Sequence, residues 1–172
     1  VLVPSLLRDI LALDNLRDRL PRLKICVSSG EALPIELCRR FYKQLPDAAL
    51  LNLYGSTEVA ADVSCYDTRL MPSNATAVPL GRPIDNTQIY LLDAHFNPVP
   101  VGVPGQLYIG GDGLARGYLN RPEVTAEKFI NNPFSDEIES RLYRTGDLAR
   151  YLTDGNIEFL GRTDNQVKIR GY

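Results

Sequence analysis

The stretch LYRTGDLARYLTDGNIEFLGRTDNQVKIRGY (residues 142–172) decides the fold of the second half of the chain. It contains two strand-like runs, residues 149–152 and 156–160, on either side of Asp154-Gly155. An Asp-Gly pair between two such runs is a strong signal of a β-hairpin, so we predict a strand, a tight turn and a second strand. Because the chain begins at Val1 rather than at Met and stops at Tyr172 directly after this pattern, we expect a fragment of a longer protein.

Working outward from this hairpin, the chain is rich in proline and glycine back to Met71. Short strand-like runs at 88–92 and 106–110 lie between these breaks, and Pro122 precedes a helical pattern at 123–129. Many short strands with tight turns are typical of a small barrel or curled sheet. We therefore predict a β-rich subdomain, a small distorted β-barrel, over residues 71–160.

The first 70 residues follow a different pattern, in which helical and strand-like segments alternate. Ser5 is predicted to cap a first helix, and short apolar runs at 23–27 and 49–53 are predicted strands. Between them, Pro34 is placed in the first turn of an amphipathic helix. Buried strands joined by a helix are typical of a parallel sheet, so residues 1–70 are predicted to be part of a parallel-sheet α/β core subdomain.

Composition narrows the function. With 44% hydrophobic residues among 172, the chain can bury a core, and its net charge of −2 disfavours a nucleic-acid partner. No apolar run approaches ~18 residues, so we expect no membrane span. Three widely spaced cysteines, Cys26, Cys38 and Cys65, form no metal-binding pattern and are interpreted as small apolar residues in a reducing compartment. A cytoplasmic location is expected.

The segment NLYGSTE (52–58) places polar side chains at the end of a predicted strand. Ligands of open α/β folds bind at this edge of the sheet. There, Glu58 could hold Mg²⁺, Thr57 could contact a phosphate and Tyr54 could stack on a flat ring. Taken by itself, the same segment is equally an ordinary helix start with a capping carboxylate.

Two further residues follow the predicted strands of the second half. Asp147 could accept hydrogen bonds from both hydroxyls of a ribose, and Arg162 offers a planar fork suited to ribose or phosphate oxygens. Taken alone, Asp147 is better explained as a turn-forming residue and Arg162 as a solvated residue at a strand end. The glycine-rich run 110–118 lacks the phosphate-loop pattern and is interpreted as a structural turn, and His95 is placed in a surface turn without a catalytic role.

Four motifs, taken in order, resemble the adenylation domains of nonribosomal peptide synthetases, and this resemblance covers essentially the whole chain. They are NLYGSTE (52–58), GQLYIGGDGLARGYLNRPEVTAEKFI (105–130), LYRTGDLARY (142–151) and GRTDNQVKIRGY (161–172). The resemblance implies an α/β core followed by a β-rich subdomain of the same AMP-binding unit. Residues 161–172 would form the hinge and the start of a missing C-terminal domain.

The resemblance also implies an activity. ATP and an amino acid would give an aminoacyl-adenylate and pyrophosphate, and the acyl group would pass to the phosphopantetheine thiol of a carrier domain. Mg²⁺ would be required, and carrier and condensation domains of the same synthetase would be the partners.

Site residues follow from the resemblance, motif by motif. Glu58 would bind magnesium, Thr57 would contact the α-phosphate, and Asp164 would be the hinge residue. The nucleotide-binding residues would be Gly30, Glu31, Ala32, Asn52, Tyr54, Gly55, Ser56, Thr57, Asp147 and Arg162. The substrate pocket would be lined by Val27, Ser29, Leu53, Ala61 and Asp62, of which Asp62 favours a polar or basic substrate side chain.

The chain departs from the family pattern at Ser56, where the family often has proline. The upstream phosphate loop, the segment that binds the substrate amino group and the C-terminal domain with its lysine are also missing, so we expect the fragment alone to be inactive. Two alternatives stay open: a stand-alone acyl- or aryl-CoA ligase of the same superfamily, and a non-catalytic nucleotide-binding module. Which amino acid is activated is not indicated.

Overall fold

A computed structural model describes residues 1–164 of the chain. Within these residues the first part combines three helices with a four-stranded sheet in the order β1-β2-β3-β4. The elements are α1 (Pro4–Ile10), α2 (Leu16–Arg19), β1 (Ile25–Ser28), α3 (Ile35–Gln44), β2 (Ala49–Tyr54), β3 (Ser64–Asp67) and β4 (Arg82–Pro83).

The second part of the described chain is a curled five-stranded sheet with one helix. Its elements are β5 (Thr87–Leu92), β6 (Gly105–Gly111), α4 (Pro122–Lys128), β7 (Phe129–Asn131), β8 (Arg141–Tyr151) and β9 (Ile157–Arg162). The strands run in the order β5-β6-β8-β7, and β9 also pairs with β8. Both β7 and β9 are antiparallel to β8, β7 along its first residues and β9 along its last.

Two large apolar cores stabilise these sheets, beside a smaller cluster of Leu92, Tyr108 and Leu142. In the first, Leu7 of α1 and Phe41 of α3 pack with Leu50 of β2, and all three are fully buried. In the second, Leu107 and Ile157 are fully buried among residues of the curled sheet. Burying each such side chain stabilises the fold by roughly 1.5–3 kcal/mol. The positions of the apolar residues in the sequence therefore largely determine how both sheets pack.

The predicted fold class is confirmed, although the first sheet is mixed. β1 and β2 are parallel, as predicted, whereas β2–β3 and β3–β4 are antiparallel. The predicted cap at Ser5 is wrong: the helix begins at Pro4, a residue suited to the first helical position because it lacks an N–H. Pro34 immediately precedes α3 instead of lying inside its first turn.

The hairpin predicted around Asp154-Gly155 is present. Leu152 N donates to Asn156 O at 2.8 Å, and Gly155 N donates to Leu152 O at 2.9 Å. Its first strand, β8, is longer than expected because it continues through Gly146, whose φ of +80° favours glycine, to Arg141. The following β-bulge between Leu148 and Ala149 re-aims the side chains of this strand.

Other sequence predictions meet mixed outcomes. His95 lies in an exposed turn, as expected. Cys26 and Cys38 are buried, whereas Cys65 is only partly buried.

The predicted division of the chain into subdomains at residues 70 and 160 stays a prediction. The proposed hinge segment is described only as far as Asp164, and residues 165–172 lie outside the described part. In residues 1–164, no helix has both the length and the apolar character needed to cross a membrane.

Candidate functional site

A cavity of about 550 Å³ lies between the two sheets. One wall follows the carboxyl ends of β1 and β2, and the opposite wall is formed by residues of β8 and β9. The lining residues are Gly30, Glu31, Ala32, Leu33, Pro34, Ile35, Asn52, Leu53, Tyr54, Gly55, Thr76, Ala77, Val78, Leu80, Asp147, Phe159, Gly161 and Arg162. This volume is within the usual range for a small-molecule site, and the strand ends are where open α/β sheets bind ligands.

On the β8–β9 side, Asp147 is held from several directions. The Tyr54 hydroxyl donates to its Oδ2, and Arg162 Nη1 donates to its Oδ1 at 2.6 Å. The backbone N–H of Asp147 donates to Thr145 Oγ1 at 2.9 Å. Relative exposure of the ion pair is low, 17% for the Arg162 side chain and 9% for that of Asp147. We call Tyr54, Asp147 and Arg162 the aspartate cluster.

Electrostatics fixes the protonation of the two donors in this cluster. Burial, followed by the charge of Asp147, raises the pKa of Tyr54 well above its usual value, so its phenol stays a donor. Hydrogen bonding to Asp164, reinforced by Asp147, raises the pKa of Arg162. Arg162 reaches Asp164 through two bonds of 2.7 and 2.8 Å, and it therefore links Asp147 to the predicted hinge residue.

Gly146 makes this arrangement possible. A Cβ added there would lie 2.9 Å from both Arg162 Nη2 and Asp164 Oδ2. The left-handed backbone favours glycine next to the aspartate, and a larger residue would also displace the ends of the Arg162 and Asp164 side chains.

A second carboxylate, Glu58, is held very differently. It lies in a three-residue 3-10 turn, Thr57–Val59, and its Oε1 accepts a hydrogen bond from the Tyr118 hydroxyl at 2.7 Å. Its backbone oxygen accepts from Ala115 N at 2.8 Å. Among residues 1–164, no lysine or arginine forms an ion pair with Glu58. We call Glu58, Tyr118 and the nearby Tyr143 the glutamate cluster.

Glu58 is nevertheless charged. Burial raises its pKa, but hydrogen bonds, led by the one from Tyr118, outweigh burial and hold the pKa below its usual value. The pKa of Tyr143 is raised by burial and by its neighbours Tyr118 and Glu58, so this phenol also stays protonated. The result is a carboxylate surrounded by neutral donors.

The glutamate cluster has the chemistry to hold a magnesium ion that is also bound by the phosphates of a nucleotide. The described part of the chain contains no group of three or more acidic, histidine or cysteine side chains that could hold a metal by itself. Mg²⁺ bound with phosphates, however, commonly takes only one or two protein carboxylates. A charged Glu58, which forms no ion pair with a cation of the described residues, meets that requirement.

Most of the predicted nucleotide-binding residues come together around the cavity. Gly30, Glu31, Ala32, Asn52, Tyr54, Gly55, Asp147 and Arg162 line it, whereas Ser56, Thr57 and Glu58 do not. The Asn52 side chain is buried and donates to Pro79 O at 2.8 Å, so it braces the 76–80 wall.

Of the predicted substrate-pocket residues, only Leu53 lines this cavity; Val27, Ser29, Ala61 and Asp62 do not. Ser29 and Asp62 do meet, since Ser29 Oγ donates to Asp62 Oδ1 at 2.6 Å. The loop before Asp62 folds tightly against Gly55, where an added Cβ would lie 1.8 Å from Ala61 O. Ala61 itself has a φ of +80°, a conformation that is strained for a residue with a side chain.

Sequence reasoning missed several residues. The cavity wall formed by Thr76, Ala77 and Val78 lies in a segment interpreted only as turns. Tyr118 ends the glycine-rich run that we interpreted as structural, and its contact with Glu58 spans 60 positions of sequence. The sequence signal for this contact is a tyrosine placed among glycines. That signal does not identify Glu58 as the residue that the tyrosine hydroxyl contacts.

The comparisons with known proteins identify the family of this chain. A family described as AMP-binding enzyme matches residues 1–119. One of the linear gramicidin synthase proteins from Brevibacillus parabrevis is 48% identical over 162 residues, covering 94% of this chain and 3% of the relative. A mycosubtilin synthase protein from Bacillus subtilis is 52% identical over 161 residues, covering 92% of this chain and 6% of the relative.

Among solved structures, holo-PA1221 superimposes with a TM-score of 0.91 and 34% identity, covering 99% of this chain and 29% of that one. That protein is described as an NRPS protein containing adenylation and PCP domains, bound to a vinylsulfonamide inhibitor. The chain belongs to the AMP-binding enzyme family, and within it to the adenylation domains of nonribosomal peptide synthetases. It spans only 3% of the length of the gramicidin synthase protein that it matches.

Proposed function

We propose that this chain contributes the nucleotide site of an adenylation domain that activates an amino acid with ATP. The observation that carries this proposal is the aspartate cluster, in which a buried Asp147 lines a nucleotide-sized cavity at a sheet edge. The synthetase relatives favour an amino acid over the acyl or aryl acid of a CoA ligase.

Asp147 has the chemistry to bind a ribose. A carboxylate has about four lone-pair sites, and Tyr54 and Arg162 each donate to a different oxygen. A ribose hydroxyl is a neutral donor of the kind that a carboxylate oxygen accepts. Tyr54 and the residues Gly30–Ala32 would then enclose the adenine, since all of them line the same cavity.

Glu58 and Thr57 are the proposed residues for the phosphate end of ATP. Mg²⁺ would supply neutralisation of the phosphate charge, and Glu58 would hold it through a carboxylate oxygen. Such a reaction needs little acid–base chemistry from side chains. It needs alignment of the substrate carboxylate on the α-phosphorus and a fixed electrostatic environment.

The Ser29–Asp62 pair supports a polar or basic substrate side chain. Asp62 accepts from Ser29 through Oδ1, and its carboxylate can accept further hydrogen bonds from a substrate donor. A purely apolar side chain would leave these groups without a substrate partner in the occupied pocket.

The acyl group would pass to the phosphopantetheine thiol of a carrier domain, and a condensation domain of the same synthetase would then use it. This is supported by the PCP domain of the solved structure holo-PA1221 and by the synthases among the relatives. Cytoplasmic activity is part of the same proposal, supported by cysteines that are unpaired in the described chain.

The chain alone is expected to be inactive. Among residues 1–164, no lysine lines the cavity to help neutralise transferring charge. The test compares the isolated 172-residue chain with the complete adenylation domain that contains it, using amino-acid-dependent ATP–pyrophosphate exchange. Exchange by the complete domain alone agrees with this expectation, and exchange by the isolated chain contradicts it.

The same exchange assay, run on the complete domain with a panel of amino, aryl and fatty acids, tests the function itself. Exchange with one or a few amino acids, preferably polar or basic ones, is the expected result. Exchange only with other acids would replace the proposal with the ligase alternative. A folded domain that exchanges with none would favour the non-catalytic module.

A further inference from the structure

We propose, on the basis of the function proposed above, that Tyr118 is a positioning residue that orients the Glu58 carboxylate for a magnesium ion. The assignment begins with the bond of 2.7 Å from the Tyr118 hydroxyl to Glu58 Oε1. The Tyr118 hydroxyl is a neutral donor and engages one of the two carboxylate oxygens. Binding through the other oxygen stays compatible with that bond.

Glu58 needs such support because its own segment is short. The 3-10 turn Thr57–Val59 contains only three residues and is followed by Ala60 in a left-handed conformation. A turn of this length does not fix a flexible glutamate side chain, which retains several rotamers. A carboxylate that must meet a metal in one geometry therefore requires an outside contact.

Tyr118 is itself held firmly enough to provide this contact. Its backbone N–H donates to Thr125 Oγ1 at 2.9 Å, and the Thr125 hydroxyl donates to Arg121 O at 2.9 Å. Its ring packs edge-on against Phe129, with centroids 5.8 Å apart, and Phe129 is buried in the second core. Helix α4 and strand β7 thereby determine where the hydroxyl lies.

The main chain around Tyr118 contacts Glu58 as well. Ala115 N donates to the Glu58 backbone oxygen at 2.8 Å, while Arg141 Nη2 donates to Ala115 O at 3.1 Å. One loop thus holds both the backbone and the side chain of Glu58. A loop that served only to turn the chain would not require the second contact.

The chemistry of the donor also matters. A lysine or arginine at this place would orient the carboxylate but also neutralise it, and would compete with a cation. A tyrosine hydroxyl orients it and leaves its charge in place. The lack of an ion pair to Glu58 within residues 1–164 is consistent with this role.

The test uses Tyr118→Phe in the complete adenylation domain, which removes only the hydroxyl. ATP–pyrophosphate exchange is measured against Mg²⁺ concentration at fixed ATP, and binding of Mn²⁺ in the presence of ATP, which the variant should weaken, is measured separately by electron paramagnetic resonance. We expect the Mg²⁺ concentration for half-maximal exchange to rise by about tenfold or more, as is typical when the support of a metal ligand is removed, with the amino-acid KM unchanged. Tyr151→Phe is the matched control, since its half-buried hydroxyl donates to Ile89 O at 2.9 Å, and it should behave as wild type.

Glu58→Gln separates this inference from the function on which it rests. If Glu58→Gln leaves the Mg²⁺ requirement unchanged, the metal assignment of Glu58 fails, and the role of Tyr118 fails with it. If Glu58→Gln raises the requirement and Tyr118→Phe does not, only the role of Tyr118 is overturned. An equal loss of exchange at all Mg²⁺ concentrations for Tyr118→Phe would likewise mean a purely structural residue.

Thr125→Val tests the inference in case the Tyr118→Phe domain does not fold. Thr125→Val removes the acceptor of the Tyr118 backbone N–H without touching Glu58. It should raise the Mg²⁺ requirement in the same direction but by less. A Thr125→Val domain that folds and has the wild-type requirement would overturn the inference if Tyr118→Phe does not fold.

Discussion

The aspartate cluster and the glutamate cluster each hold a carboxylate, buried in the case of Asp147 and half-buried in that of Glu58, and they stabilise it in opposite ways. Asp147 is paired with the guanidinium of Arg162 at 2.6 Å, whereas Glu58 receives the Tyr118 hydroxyl at 2.7 Å and no ion pair within residues 1–164. A carboxylate already neutralised by a cation is suited to neutral donors such as sugar hydroxyls. One stabilised without a cation keeps its charge, as a metal ligand must. In the proposed function, the partner of each carboxylate thus matches the ligand proposed for it.

The largest expected effect concerns stability. Arg162→Ala leaves Asp147 buried without the cation, and breaking a buried pair from one side costs about 3–5 kcal/mol. We expect the free energy of unfolding of the complete domain, measured by denaturant titration, to fall by about 3 kcal/mol.

Arg17→Ala is the control for this loss. Arg17 pairs with Asp47 at 2.8 Å, and both side chains are mostly exposed, at 69% and 73%, so removal of Arg17 should cost less than about 1 kcal/mol. Equal losses in the two variants would show that burial does not distinguish the aspartate cluster from a surface pair.

The next effect concerns ATP. Asp147→Asn keeps the size of the side chain but removes its charge, and a hydrogen bond to a charged group is worth about 1.5–3 kcal/mol. We expect the KM for ATP to rise by about 10- to 100-fold, with the Mg²⁺ requirement unchanged. A rise in the Mg²⁺ requirement instead would contradict the division of roles between the two carboxylates.

A smaller effect is expected at the predicted hinge. Asp164→Pro restricts the backbone at this residue, so we expect thiol transfer to slow by about tenfold while adenylation is spared, because in the proposed function a rotation at this hinge would be needed only for the transfer step. Parallel assays of pyrophosphate exchange and carrier loading measure the two steps.

Asp164→Ala is the matched variant, because it also loses the two bonds from Arg162 but keeps a mobile backbone. If the alanine variant slows transfer as much as proline does, the carboxylate rather than the hinge is responsible. Equal loss of both activities in the proline variant would remove Asp164 from the hinge role.

The smallest effect concerns Tyr54. Tyr54→Phe should cost about 1 kcal/mol at neutral pH, because one hydrogen bond to Asp147 is lost. The pKa of Tyr54 is raised by burial above the unfolded value of about 10, so above about pH 10 only the unfolded chain releases this proton and stability falls.

Denaturant titrations across this alkaline range measure that fall. The wild-type domain should lose stability more steeply than Tyr54→Phe as the pH rises above about 10. Identical slopes for the two proteins would mean that Tyr54 ionises equally easily in the folded state.

Local patterns predicted much of this molecule. The hairpin follows from Asp154-Gly155, and the strand end at Tyr54 follows from a glycine after an apolar run, because both depend on residues adjacent in sequence. The strand β8 is longer than its local pattern, because the predicted run begins only at residue 149, whereas pairing with β6 and β9 extends the strand back through Gly146. Tertiary pairing here overrides a local preference.

In the candidate site, too, the sequence predicted what depends on local motifs and missed what depends on distant contacts. Asp147, Arg162 and Glu58 were identified from motifs, but the contact of Tyr54 with Asp147 spans 93 positions and that of Tyr118 with Glu58 spans 60. Such contacts depend on how two sheets pack, which periodicity does not report. The sequence therefore indicated which residues carry charge, but not which neighbours control that charge.

The double attachment of Glu58 to the loop of Ala115 and Tyr118 has a consequence for building chimeric synthetases. A crossover placed between these segments would join a glutamate from one parent to a supporting loop from another. Recombination that inherits residues 52–62 and 105–130 from a single parent avoids this mismatch, even when the intervening strands are exchanged.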